Sequence, residues 1–239
     1  MRFVAVKTPE QQALLAVHRA RQGFVKMRTA LANQIRGLLS EFGIVMAQGL
    51  RVVLLEAAVM AADERLCLPA PMRTLIAQLH QQLKALDEQV SQLEQIIAAT
   101  AQPDSLERRL QQVPGIGPIT SSALVATVGD AALFANGRQL AAWLGLVPRQ
   151  HSSGGKDKLL GISKRGDGYV RTLLIHGARS LIQANERRRA AGKSTDPWLD
   201  RLLARCHANV AAVALANRNA RILWAMMTSG SAYRARALA

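Results

Sequence analysis

Two adjacent serines, Ser152 and Ser153, lie in the stretch "LVPRQHSSGGKDKLLGISKRGDGYVR" (146–171), among Arg149, Lys156, Lys158, Lys164, Arg165 and Arg171. A serine hydroxyl is a poor nucleophile. It needs a base, or strong electrostatic stabilisation of the charge that develops as it attacks. On a phosphodiester that charge builds on the non-bridging oxygens, and Arg or Lys side chains are suited to clamp it. Gly154 and Gly155 would let the backbone come close to a strand. His151 stands two residues before Ser153 and could act as a base, although a lone loop histidine is more often incidental. The same composition also describes a solvated linker or a passive phosphate clamp, and on the residues alone that plainer reading leads. Asp157 and Asp167 are too isolated for a two-metal site, which needs several convergent carboxylates.

A second candidate is "VPGIGPITSSALVATVG" (113–129), which has the pattern of a helix-hairpin-helix. Gly115 and Gly117 permit a tight turn with positive φ and no side chains in the way. Backbone N–H groups at the start of the next helix then face a phosphate at its positive end. Ile116 would tuck inward to hold the turn, and Thr120 would cap the helix or touch the phosphate. Such contacts position a nucleic acid without reading its sequence. The simpler alternative is a helical hairpin whose glycines serve only the turn. No P-loop, zinc spacing or dinucleotide fingerprint is present.

These candidates need a scaffold, and the sequence predicts a mainly α fold. Aromatics are only 4% of the 239 residues, while Ala, Leu, Gln and Arg abound, which favours helices over sheets. The first helix begins at "TPEQQALL", with Thr8 as N-cap, Pro9 at the first helical position and Gln11 completing a capping box. Val17, Phe24, Leu31 and Leu38 recur every seven residues, with Ile35 and Phe42 alongside, until Gly43. A shorter helix is expected from about Val52 to Arg65. Then Met72, Leu79, Leu86 and Leu93 form one heptad series, and Ile76, Leu83, Val90 and Ile97 the other. That is the pattern of a coiled-coil seam. The expected structure is a hairpin between this helix and the first, with two copies associating through it as a homo-oligomer.

Pro103 and Asp104 mark the expected boundary between a coiled-coil region, 1–102, and a helical domain, 103–239. Helices are predicted to about Gln112, over Ile119–Val128 and near Arg138–Leu144, then over Tyr169–Ala191, Asp196–His207 and Asn209–Thr228. No strand pattern stands out, and "ERRRAAGKS" reads as an exposed helix end.

Charge divides at the same boundary. Residues 1–105 hold 11 Lys/Arg against 9 Asp/Glu, a net of +2, whereas 106–239 hold 20 against 7, a net of +13. So basic a half calls for an anionic partner, nucleic acid first. A membrane surface fits less well, because no stretch pairs a clean apolar face with a Lys/Arg face over several turns. No apolar run is long enough to span a bilayer, and "MRFVAVKTPEQQ" lacks a signal-peptide core. Cys67 and Cys206 read as reduced, buried thiols. The expected location is the cytoplasm.

The order of motifs from "VPGIGPITSS" through "LVPRQHSSGGKDKLLGISKRGDGYVRTLLIHGAR" closely resembles the carboxyl-terminal transposase domain of the insertion sequence 110 family, particularly its 1111-like branch. "RFVAVKTPEQQALLAVHRARQGFVKMRTALANQIRGLLSEFGI" and "NVAAVALANRNARILWAMMTSGSAY" extend the likeness over essentially the whole chain. The resemblance implies a DNA transposase or recombinase in which a serine attacks a DNA phosphodiester and forms a covalent serine–DNA link. Carried onto this sequence, that serine is Ser153, with Ser152 the adjacent alternative. It also implies a structured guide RNA as partner. The family pairs this domain with an amino-terminal RuvC-like domain whose DEDD acids bind divalent metal. This sequence matches only the coiled-coil and serine parts, so no cofactor is expected within it. The alternative expectation is a non-catalytic nucleic-acid-binding or dimerising remnant of such a transposase.

Overall fold

In the computed structural model the residues described are 6–152, 155 and 158–234. The chain is mainly α. Its helices are α1 (Pro9–Ser40), α2 (Leu50–Ala62), α3 (Ala70–Ala99), α4 (Leu106–Leu110), α5 (Pro118–Val128), α6 (Gly137–Trp143), α7 (Gly168–Ala190), α8 (Pro197–Leu203) and α9 (Ala208–Ser229), with short 3-10 turns at Glu64–Leu66 and Ala131–Leu133. Two compact units separate. One is Ala13–Ile97; the other gathers the described parts of Met1–Gln12 and Ala98–Ala239.

The capping box forms as the sequence predicts. Thr8 Oγ1 accepts from the Gln11 N–H at 3.2 Å, and the Thr8 N–H donates to Gln11 Oε1 at 3.1 Å. Along α3 the series Ile76, Leu83, Val90 and Ile97 is buried, as are Ala32, Ile35 and Leu39 on α1. Burying each large aliphatic side chain contributes about 1.5–3 kcal/mol, so this stripe decides which face of α3 turns inward. The two helices run antiparallel, joined by ion pairs Arg21–Glu94 and Arg28–Asp87. Helix α2 packs on the same core through Val53, Ala57 and Ala61. His80 Nε2 fastens it by donating to the Leu54 carbonyl at 2.8 Å.

Helix α2 stops at Ala62, three residues before the expected end. Asp63 accepts from the Arg65 N–H at 3.0 Å and starts the 3-10 turn instead. That turn leaves Cys67 in the left-handed region, at φ 48°, and exposed; Cys206 is half-buried. The expectation of two buried thiols is therefore corrected.

The second unit packs α4 to α9 around Leu110, Leu124, Leu140, Leu144, Leu146, Leu174, Leu215 and Leu223. Helices α7 and α9 are its long members. Lys7 secures the amino-terminal segment to it, with Nζ donating to the Ala126 and Thr127 carbonyls at 2.8 and 2.9 Å. A cation there also compensates the negative end of α5. Asp196 caps α8 by accepting from Trp198 N–H, and Asp200 accepts from Thr195 Oγ1 and Asn185 Nδ2, so the link from α7 to α8 is held by side chains.

One sequence expectation fails in this unit. The basic stretch is not strandless: β1 (Pro148–Gln150) and β2 (Leu159–Ile162) pair antiparallel, with Pro148 opposite Ile162 and Gln150 opposite Leu159. Nearly every residue of both strands is exposed. With neither face buried there is no alternation of apolar and polar residues to read.

Candidate nucleic-acid interface

The basic stretch is thus built on the β1–β2 pair. The His151 N–H donates to the Lys158 carbonyl at 2.9 Å, extending the pairing one step past β1 and β2 toward the turn. Ser152 follows directly and is exposed, as is Gly155 at φ 75°. Ser153, Gly154, Lys156 and Asp157 lie outside the described residues.

The hairpin's base is built from backbone fitted closely to backbone. The Ser163 N–H donates to the Val147 carbonyl at 2.8 Å, and the Lys164 N–H to the Gly145 carbonyl at 3.2 Å. A Cβ on Gly166 would stand 1.8 Å from the Trp143 carbonyl oxygen, and one on Gly145 would stand 2.3 Å from that of Arg165. Only glycines allow the end of α6 and the start of α7 to meet this way, and both have positive φ. Lys164, between them in the chain, takes φ 55°, which is uncommon for a residue with a side chain. Arg171 closes the junction, its Nη1 donating to the Leu144 and Arg165 carbonyls at 3.0 and 2.9 Å. Asp167 caps α7, accepting from the Val170 N–H at 2.8 Å.

The sequence candidates therefore separate. Arg149, Lys158, Lys164 and Arg165 are exposed on or beside the hairpin, and no ion pair among the described residues includes them. Arg171 is half-buried and fastens the hairpin's base. Half-buried Ser163 directly follows β2, and its Oγ is shielded from solvent with no hydrogen-bond partner among the described residues.

The glycine turn sits elsewhere on the same unit. Gly115 has φ 84°, Ile116 is buried as expected, and Gly117 starts α5 with no side-chain cap, Pro118 taking the first position. The turn leans on α7: a Cβ on Gly177 would stand 1.9 Å from the Gly115 carbonyl oxygen. Asn219 Nδ2 steadies it from α9, donating to the Pro114 carbonyl at 3.1 Å. Thr120 faces inward at 6% exposure, as do Ser121 and Ser122, so the Thr120 hydroxyl belongs to the packed interior. Gly115 and Gly117 are half-buried.

Sequence reasoning missed a third group. Arg138, Arg218 and Arg221 line one cleft, although 80 residues separate the first two in the chain. The available signal was the run "NRNARILW" on α9, where Arg218, Arg221 and Trp224 follow at three-residue spacing on one helical face. Among the described residues no three His, Cys, Asp or Glu side chains gather as a metal-holding group, and no helix is long and apolar enough to cross a membrane.

Residues 107–193 match the family model described as "Transposase IS116/IS110/IS902 family", a span that contains both the glycine turn and the hairpin. The chain is 50% identical over 240 residues to a Pseudomonas aeruginosa protein described as a "Probable family 20 transposase", covering 98% of this chain and 69% of that one. It is 45% identical to the transposase for insertion sequence element IS1111A of Coxiella burnetii, over 98% of this chain and 64% of the relative. It is 40% identical to the transposase for IS1328 of Yersinia enterocolitica, over 98% and 68%. The chain thus spans about two thirds of the length of these relatives. Such identity, sustained from end to end, places the chain in the IS116/IS110/IS902 family of transposases.

Proposed function

We propose that this chain handles DNA during transposition of an insertion sequence, with the hairpin β1–β2 as the element that meets the strand to be cut. In this reading Ser153, or its neighbour Ser152, attacks a DNA phosphodiester. A serine–phosphate bond forms, the strand leaves as a free 3′ hydroxyl, and the serine proton passes to that leaving oxygen or to solvent. Arg149, Lys158, Lys164 and Arg165 stabilise the charge on the non-bridging oxygens. The Gly115–Gly117 turn and the amino-terminal end of α5 hold backbone phosphate nearby, as in a helix-hairpin-helix. Divalent metal, a guide RNA and a second copy paired along the α1–α3 hairpin belong to the same reading, the metal on a separate acidic domain.

The observation that carries it is the hairpin itself: exposed cations with no carboxylate partner among the described residues, on a scaffold closed at its base by glycines and Arg171. The test combines the chain with the DEDD-bearing segment of a full-length relative, element-end DNA and the element's RNA. A covalent protein–DNA adduct is then sought on a denaturing gel. Adduct lost in Ser153→Ala and kept in Ser152→Ala supports the assignment. An adduct that survives both substitutions overturns it and leaves the non-catalytic binding module.

A further inference from the structure

Helices α6, α8 and α9 line an open cleft of about 790 Å³. That volume lies within the range of pockets that hold a small organic ligand, and it suits a single nucleotide better than a duplex. Its construction starts from Gly137. A Cβ there would stand 2.9 Å from Arg221 Cα, so the first turn of α6 rests directly on the α9 backbone. Arg138 is thereby carried to the same wall as Arg221.

Three arginines line this cleft, Arg138, Arg218 and Arg221, and no ion pair among the described residues includes any of them. Like charges gathered on a concave surface repel one another and focus a positive potential. Arg218 lies over the Trp198 ring, its Cζ 4.4 Å from the centroid. Guanidinium and indole thus form a cation–π pair in the cleft lining, and such aromatic and guanidinium surfaces are what an unpaired base stacks on. The other tryptophan is already committed, because Trp224 Nε1 donates to the Ala131 and Phe134 carbonyls at 3.1 and 3.2 Å and braces the wall. Asn217 also lines the cleft, and its Nδ2 donates to the Leu146 carbonyl at 3.3 Å, two residues before β1. One wall is therefore tied to the chain that enters the hairpin.

We infer that this cleft holds a nucleotide of an unpaired DNA strand, with phosphate between the arginines and the base on the Arg218–Trp198 pair. The inference rests on the DNA-handling reading above and adds to it a site for single-stranded DNA distinct from the hairpin. Paired bases hide their faces and cannot use these surfaces, so the cleft discriminates strand from duplex.

The test uses the full chain, fluorescence anisotropy, and three labelled probes: dT20, a 20-base-pair DNA duplex and rU20. Arg138 and Arg221 are both exposed, so the double variant R138Q/R221Q should fold, which a circular dichroism melt verifies. Each lost phosphate contact on a single strand removes about 0.7 from the log–log salt slope. The double variant should therefore lower the slope on dT20 by about 1.4 and the affinity at 0.1 M salt about 25-fold. Duplex affinity should change less than about threefold, since its phosphates meet the hairpin and glycine turn. Trp198→Phe keeps a ring beneath Arg218 and should hold dT20 within about threefold of wild type. Similar losses on dT20 and rU20 also support the cleft, as a strand site blind to the sugar.

Equal losses on dT20 and duplex, no loss on dT20, a wild-type chain that binds duplex but not dT20, or a loss confined to rU20 each overturn the inference. A wild-type chain that binds neither DNA probe overturns the broader DNA-handling reading instead.

Discussion

Replacing Gly177 with alanine sets helix propensity against packing, and the two predict opposite signs. Gly177 lies inside α7, where exchanging glycine for alanine ordinarily favours the helix by about 0.8–1.0 kcal/mol. The new Cβ, however, would stand 1.9 Å from the Gly115 carbonyl oxygen and 3.0 Å from its carbon. Restoring an ordinary 3.4 Å contact requires 1.5 Å of movement between two backbones. Neither side yields easily, since Asn219 holds the turn at Pro114 and Ala178 is fully buried next to Gly177. Overpacking typically costs about 1–3 kcal/mol, and a clash between backbones belongs at the upper end. After the gain in propensity the expected net loss is about 2 kcal/mol, which lowers the melting temperature by about 4–8 °C for a domain of this size. Gly23→Ala in α1 is the control, because nothing lies within 4 Å of its Cβ position; it should raise stability by up to about 1 kcal/mol. Both are read by thermal melts at 222 nm. If Gly177→Ala melts at or above wild type, the close approach of turn and helix is wrong.

Two further outcomes follow from side chains described above. His18 is buried, and burial, helped by the positive charge of Arg21, lowers its pKa from 6.5 to about 4. The folded state therefore binds fewer protons than the unfolded one between these values. Its contribution to stability is full above about pH 6.5 and lost as pH falls toward 4. Urea titrations at pH 7 and pH 4.5 should show a larger acid loss for wild type than for His18→Gln; equal losses would rule out a neutral buried imidazole. Arg171→Ala removes two hydrogen bonds from a charged group, each worth about 1.5–3 kcal/mol at most, and loosens the hairpin's base. Hydrogen exchange at the Ser163 and Lys164 amides should accelerate at least about tenfold, while exchange in α3 is unchanged; unaltered protection at both amides would show that Arg171 is not the fastening.

What the sequence revealed was set by periodicity and by local hydrogen bonding. The Ile76–Leu83–Val90–Ile97 series on α3 announced a buried stripe, because an apolar stripe has only one place to go in water. The second series and the α1 repeat Val17, Phe24, Leu31 and Leu38 lie half-buried at its flanks. The Thr8–Gln11 box was legible because both partners lie within one turn. The hairpin was not, since strands of three and four residues with both faces in solvent leave no pattern. Cys67 escaped for a related reason: its exposure follows from a left-handed turn fixed by Asp63 and Arg65. The Arg138–Arg218–Arg221 cleft depends on Gly137 meeting α9, a contact between residues 84 apart, and no local window contains both. The interior position of Thr120 was equally hidden, because a helix with apolar residues all round offers no stripe from which to orient it.

The ion pairs Arg21–Glu94 and Arg28–Asp87 carry a consequence for how this hairpin can vary. Both partners step by seven residues in opposite directions, so the rungs share the spacing of the apolar seam. A length change in one arm alone would shear rungs and seam together. A change of seven residues in both arms, about 10.5 Å of helix, would keep every rung in register. The hairpin thus works as a graduated rod, adjustable only in whole divisions, and its reach is quantised by the same repeat that holds it shut.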